Sequence, residues 1–310
     1  MRLLPEKLAI NFMGMRFAGF ALSGALVLAS IILPMTWGLN FGIDFSGGIL
    51  MEVRSPSSFD LAATRSSLNS LGLGEVAIQQ FGDGTDMSIR VQEQEGGEQA
   101  QQAAIGKIKE SLGKSFEFRK IETVGPKVGS ELKKAGSLAA ILAVSAIGIY
   151  IWFRFEWQYG LAALIALAHD VITTVGIYAV TQVEFNLSTV AAILTVAGYS
   201  INDTVVIFDR VREDRRKYRS LSVIEMLNLA CNETLSRTIL TSMSTFIAVL
   251  ALYLVGGEAL HSFSIGVLWG IIAGTYSSVL LATPLLIYFG SKESGSTEVL
   301  APDAKDETVK

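Results

Sequence analysis

The 310-residue chain is poor in charge: Asp, Glu, Lys and Arg make up only 17% of it, against roughly 25% in an ordinary soluble chain. That shortage argues against two soluble domains. A single cysteine, Cys231, excludes a disulfide within the chain and a cysteine-based metal site. With a net charge of −4 there is no positive excess to favour nucleic acid as a partner. Collagen, coiled coil and wholesale disorder are also excluded by composition. What is abundant is apolar side chain, 50% of the residues, gathered in long blocks separated by one charged stretch.

A membrane-crossing helix needs about 20 mostly apolar residues. Six stretches qualify: 17–37, 136–153, 159–180, 187–208, 238–257 and 263–289, the last with Pro284 near its end, where a kink is tolerated. The first is too long for the roughly 7–15-residue core of a cleaved signal peptide. The segment between the fourth and fifth spans carries Arg210, Arg212, Arg215, Arg216, Lys217, Arg219 and Arg237, whereas 181–186 and 258–262 carry no Lys or Arg. By the positive-inside rule the basic segment is cytoplasmic. Six spans then place both termini in the cytoplasm, in agreement with Arg2, Lys7 and Arg16, and put the insert 38–135 outside. Residues 210–219 also suit contact with anionic lipid.

The insert alternates strand and helix patterns. Residues 42–54 read as a strand, 58–71 as a helix capped by Ser57 or Ser58, and 75–81 as a strand. A turn at Asp83-Gly84 leads to a strand over 87–91, a helix over 99–112 and a strand over 115–124. The order βαββαβ is that of the ferredoxin-like split arrangement. The insert holds no nucleophile–base pair and no metal-ligand cluster. Gly113-Lys114-Ser115 lacks the upstream glycine of a phosphate loop, since Ile108 stands there. The domain plan is therefore a cytoplasmic start over 1–16, a first span, a small external α+β domain over 38–135, five further spans over 136–290 and a disordered cytoplasmic tail over 291–310.

Ionisable residues in the spans cost at least about 2.5–3.5 kcal/mol each at the bilayer centre. His169 and Asp170 sit at the middle of the third span, with Thr173 and Thr174 a turn further on. Asp203 lies in the fourth, with Tyr199 and Ser200 a turn before it and Thr195 and Asn202 widening a polar stripe. Arg237 stands at the edge of the fifth, placed to reach inward to Asp203 or to snorkel outward. One reading is a proton relay, since burial penalises the charged carboxylate and a nearby cation favours it. The other is structural: a fixed Asp203–Arg237 pair and a hydrogen-bonded His169–Asp170 packing node. Gly266, Gly270 and Gly274 in the sixth span, and Ala21, Ala25 and Ala29 in the first, are small-residue ladders that read as helix packing.

Five segments taken together resemble the signatures of a known family. They are Gly42-Ile43-Asp44-Phe45-Ser46-Gly47-Gly48, the run 124–132 with Gly125, Pro126 and Gly129, His169-Asp170, 198–206 around Asn202-Asp203, and 232–239 around Arg237. In order over about residues 10–290 they resemble the SecD/SecF export proteins, His169-Asp170 on the SecF side. Ser46 stands where threonine is usual and Asp214 where asparagine is expected. The resemblance implies a six-helix half of the RND-type transporter architecture with a ferredoxin-like periplasmic domain, in the bacterial inner membrane. It implies a SecD partner, work with the SecYEG channel and often YajC, and late-stage movement of preproteins driven by the proton motive force. Protons are the coupling ion and no other cofactor is implied. The family's relay aspartate maps to Asp203 and its essential arginine to Arg237, while a further relay carboxylate belongs to SecD. The alternatives are an RND-type exporter of small molecules or lipids, for which the insert is too small to form a pocket, and a scaffold that moves no protons. An enzyme is the weakest reading.

Overall fold

The computed structural model describes residues 9–290 except 57, 75, 82 and 83. Arg2, Lys7, the Ser57 cap, Asp83 of the expected turn and the tail 291–310 lie outside the described residues. Among the described residues, six helices are long and apolar enough to cross a membrane. They are α1 (Arg16–Thr36), α5 (Pro126–Arg154), α6 (Trp157–Thr181), α7 (Leu187–Lys217), α8 (Val223–Val255) and a sixth made of α9 (Glu258–Ser277), a π-helical turn (Ser278–Ala282) and α10 (Thr283–Tyr288). Each apolar run dictates a helix because its backbone groups must find partners within their own segment once water is gone.

Several helices overrun the apolar stretches. α5 starts with Pro126 in its first turn, where the missing N–H costs nothing. It runs unbroken through residue 135, the expected edge of the insert. α8 begins at Val223, well before 238, because Ser222 and Glu225 form a capping box: Glu225 N–H donates to Ser222 Oγ at 3.3 Å and Ser222 N–H to Glu225 Oε2 at 3.0 Å. The π turn just precedes Pro284; such turns interrupt the regular ladder where a helix deviates.

Between α1 and α5 lies a small sheet domain. β1 (Gly48–Arg54), α3 (Leu61–Asn69), β2 (Val76–Phe81), β3 (Asp86–Val91), α4 (Gly97–Leu112) and β4 (Glu117–Val124) give a sheet of order β2-β3-β1-β4, antiparallel throughout. That is the split βαβ arrangement. Ile49, Met51, Val53, Ile89 and Val91 point from the sheet onto Leu68 of α3 and Ala104, Ile105 and Ile108 of α4. Two local expectations are corrected. Residues 43–46 form a single helical turn, α2 (Ile43–Ser46), not the start of a strand. Gly47 (φ +75°) and Gly48 (φ +119°) turn the chain from it into β1 through conformations that side chains disfavour. The cap of α3 is Asp60, which accepts from Ala62 N–H at 2.8 Å and Ala63 N–H at 3.1 Å, and a carboxylate serves there better than a hydroxyl too far upstream.

Packing in the bundle follows small residues. At Gly270 a Cβ would overlap the Val196 side chain, and at Gly274 it would stand 3.1 Å from Ser200 Cβ, so this ladder presses α9 against α7 within the chain. The alanine ladder of α1 does the opposite: Ala21, Ala25 and Ala29 are exposed, and Gly19 and Ser23 of the other face are buried. Polarity decides this, because Ser23 Oγ meets Tyr276 OH at 3.0 Å and Tyr276 OH donates to the Gly19 carbonyl at 2.6 Å. Before α1 the chain is clasped to α8. Ile10 N–H donates to Asn232 Oδ1 (3.0 Å), Asn232 Nδ2 returns to the Ile10 carbonyl (2.9 Å), and Met13 N–H donates to Asn228 Oδ1 (3.0 Å).

Gly270→Leu should lose ~1–3 kcal/mol by overpacking and lower the thermal unfolding midpoint in detergent. Gly24→Leu, where a Cβ meets nothing within 4 Å, should leave the midpoint at the parental value.

Candidate functional site

Halfway along α6, Asp170 is fully buried and His169 is 4% exposed. Asp170 gathers donors from three helices. His169 Nδ1 lies 2.8 Å from Oδ1, and Ser200 of α7 and Ser277 of α9 both donate to Oδ2, the latter at 2.7 Å. With Asp170 as the acceptor, Nδ1 is the donor of this bond. Nε2 is left buried without a hydrogen-bond partner among the described residues. Thr173 and Thr174 bind the Asp170 main-chain carbonyl at 3.2 and 2.7 Å, which spends their hydroxyls inside α6.

Asp203 is one turn below Ser200 on α7 and is 3% exposed. Its surroundings differ from those of Asp170. One hydroxyl, Ser242 of α8, faces Oδ2 at 3.5 Å, the outer limit of a hydrogen bond. That hydroxyl is itself 2.8 Å from Thr275 Oγ1 of α9. Thr204, beside Asp203, meets Ser278 Oγ at 2.8 Å. A polar seam thus runs between α6, α7, α8 and α9, with one carboxylate saturated by donors and the other nearly bare.

Arg237 does not ion-pair with Asp203: it is exposed on α8, and no salt bridge or hydrogen bond of its side chain occurs among the described residues. Helical geometry separates the two, since Ser242 reaches Asp203 from a position five residues on, about 140° around α8. Asn202 and Thr195 are likewise exposed on α7, while Ser200, Asp203 and Thr204 are buried. The polar stripe is therefore two faces, one turned into the chain and one turned out. Tyr199 OH is buried with no partner among the described residues. Ser242, Thr275, Ser277 and Ser278 escaped the sequence reading. Their type and helical spacing were visible, but not which hydroxyls turn inward; the consecutive Ser277 and Ser278, at the junction of α9 and the π turn, are both fully buried.

The signature glycines form a second structure at the end of the bundle that carries the sheet. Asp44 Oδ2 accepts from Leu187 N–H, the first turn of α7, at 2.8 Å. Gly42 N–H donates to the Phe185 carbonyl (3.0 Å) and Phe185 N–H to the Asn40 carbonyl (2.8 Å). Arg90 of β3 donates to the Phe41 carbonyl (2.9 Å) and Asn40 Oδ1 (2.6 Å). Gly129 of α5 lies so close that a Cβ would stand 3.3 Å from Gly47 N. Phe41, Phe45 and Phe185 pack ring to ring with centroids 5.8–6.3 Å apart. Asp44, Phe45 and Gly47 thus meet Gly129 at one joint between sheet and bundle, on the helix that Gly125 precedes and Pro126 opens. Among the described residues no group of three or more His, Cys, Asp or Glu is placed to hold a metal ion.

Comparison with known proteins gives concordant matches. The family described as protein export membrane protein SecD/SecF, C-terminal, matches residues 104–292, and the SecD/SecF GG motif matches residues 36–55. The protein translocase subunit SecF of Rickettsia bellii is 48% identical over 297 residues, 94% of this chain and 97% of that one. The SecF subunit of Rickettsia prowazekii is 46% identical over 94% of this chain and 95% of its own. Among solved structures, SecDF of Thermus thermophilus, a translocon-associated membrane protein, superposes with a TM-score of 0.82 at 32% identity. The match covers 92% of this chain and 39% of that one, so the chain spans well under half of the SecDF polypeptide.

Ser277→Ala should remove one charge-assisted hydrogen bond from Asp170, at ~1.5–3 kcal/mol, and lower the unfolding midpoint in detergent. Asp170→Ala should lower it further, because it removes the acceptor of His169 Nδ1 and of two serine hydroxyls at once.

Proposed function

We propose a function that starts from a plain premise: the chain belongs to the SecD/SecF protein-export family, on the matches above. It is a multi-pass membrane protein and a transport component of the Sec translocase. In our reading it is the SecF-type half of a complex with a SecD-type chain in the bacterial inner membrane, and it performs no enzymatic bond chemistry. The complex draws preproteins outward late in translocation, beside the SecYEG channel and YajC. Protons flowing inward drive it, each supplying roughly 2.3 kcal/mol per 100 mV of membrane potential. Both termini face the cytoplasm and the sheet domain lies outside, as the basic 210–219 segment indicates.

The observation that carries this reading is the contrast between the two buried carboxylates. The acceptor sites of Asp170 are occupied by fixed donors from α6, α7 and α9. Asp203 has one long contact, to Ser242, so a proton reaches it without breaking an internal network. Asp203 is accordingly the proton carrier, and the His169–Asp170 node holds the helices around it. The outward-turned Asn202 and Arg237 suit a SecD-type partner that presents a carboxylate, since a guanidinium in the membrane is retained when it is paired. The relay is completed between the two chains.

The test is a reconstituted complex with its SecD-type partner under an imposed proton gradient. Asp203→Asn should co-purify with the partner at the parental level and lose gradient-driven export; parental export at matched protein would leave only the scaffold. Arg237→Leu should leave the unfolding midpoint of the isolated chain within about 0.5 kcal/mol of the parent, as for an exposed residue with no side-chain salt bridge or hydrogen bond among the described residues, and should depress gradient-driven export.

A further inference from the structure

We propose that Asp44 is a positioning residue that couples the helix carrying Asp203 to the sheet domain. The proposal rests on the proton-carrier reading of Asp203. α7 is continuous from Leu187 to Lys217, and Asp203 lies 16 residues, about 24 Å, from its first turn. A shift of α7 on protonation therefore arrives at Leu187 undiminished by any break. There the helix is held by a side chain from outside its own segment. Asn186 caps Thr189 N–H at 3.2 Å, and Asp44 takes Leu187 N–H at 2.8 Å.

A carboxylate at a helix N-terminus gains both the hydrogen bond and the favourable end of the helix dipole. Asp44 is itself held to the sheet. It lies in α2, whose preceding residues are fastened by Arg90 of β3 and whose following glycines lead directly into β1. The path from α7 to the sheet is thus one charge-assisted hydrogen bond, one helical turn and one strand. The Gly42–Phe185 and Phe185–Asn40 bonds run beside it but end on the loop before α7, not on the helix. Asp44 alone among these bonds the helix's own first turn.

The bond can be cut from either side. Asp44→Ala removes the acceptor. Leu187→Pro removes the donor at the first helical position, where proline fits, after an Asn186 whose backbone is already extended (φ −128°, ψ −171°). Leu187→Ala keeps the N–H and serves as control, and Asp44→Asn keeps an oxygen acceptor. Two readouts are taken on the complex with its SecD-type partner. One is the distance distribution between spin labels at Lys107→Cys on α4 and Val255→Cys at the end of α8. The other is gradient-driven export.

Asp44→Ala and Leu187→Pro are each expected to broaden the distribution and to lower gradient-driven export about five-fold, the factor carried by one lost helix cap. The double variant should be no worse than either single, and Asp44→Asn and Leu187→Ala should keep both readouts near parental. An unchanged distribution in both cutting variants overturns the proposal, as does a broadened one with parental export, or an additive double variant. If the parental complex shows no gradient-driven export at all, the proton-carrier reading fails, and coupling through Asp44 falls with it. Export that is gradient-driven but indifferent to both cuts sinks the Asp44 proposal alone.

Discussion

A charged group inside a bundle of apolar helices has to be satisfied by other helices, because neither water nor lipid will do it. Asp170 is where this protein meets that demand. Its two oxygens bind His169 on its own helix, Ser200 on α7 and Ser277 on α9. The arrangement needs three helices to cross at one depth with hydroxyls facing one another. Much of the rest follows: the glycine ladder of α9 that lets it lie against Val196 and Ser200, and the two adjacent serines buried where α9 meets the π turn. A hydrogen-bonded node of this kind specifies how helices register where hydrophobicity alone does not, since lipid and side chain are equally apolar.

With Asp170 fixed, Asp203 becomes legible by difference. The two carboxylates sit on neighbouring helices, joined by one turn of α7 through Ser200. One is locked and the other is held, among the described residues, by a single long contact to Ser242. The locked group gives the site its shape, and the loose group gives it something to exchange. The exposed Arg237 and Asn202 extend the same logic past the boundary of the chain, toward surfaces that a second subunit supplies.

The membrane helices were readable from the amino-acid sequence because crossing hydrocarbon demands length and apolarity together, and both are visible in one dimension. The order of strands and helices in the sheet domain was readable from periodicity. What escaped were features decided by direction. Residues 43–46 alternate like a strand, yet Gly47 and Gly48 turn the chain and leave a helical turn before them. Arg237 lies close to Asp203 in depth but on another side of α8, and Ser242 takes its place. Ala21, Ala25 and Ala29 have the spacing of an interface, but Ser23 with its Tyr276 partner turns the opposite face of α1 inward. The start of α8 was present as Ser222 and Glu225, a capping signal followed by Val223, Ile224, Met226 and Leu227, but it lies well ahead of the uncharged run that marks the fifth span.

The clasp of Ile10 and Met13 onto α8 has a consequence for biogenesis. The partners Ile10 and Asn232 are 222 positions apart, so the leading segment is synthesised and its helix inserted long before its mate exists. That seam closes only after Asn228 and Asn232, in the first turns of α8 ahead of the fifth apolar stretch, have been made. Until then the amides of Ile10 and Met13 need other partners, and a contact of such long sequence separation is slow to form.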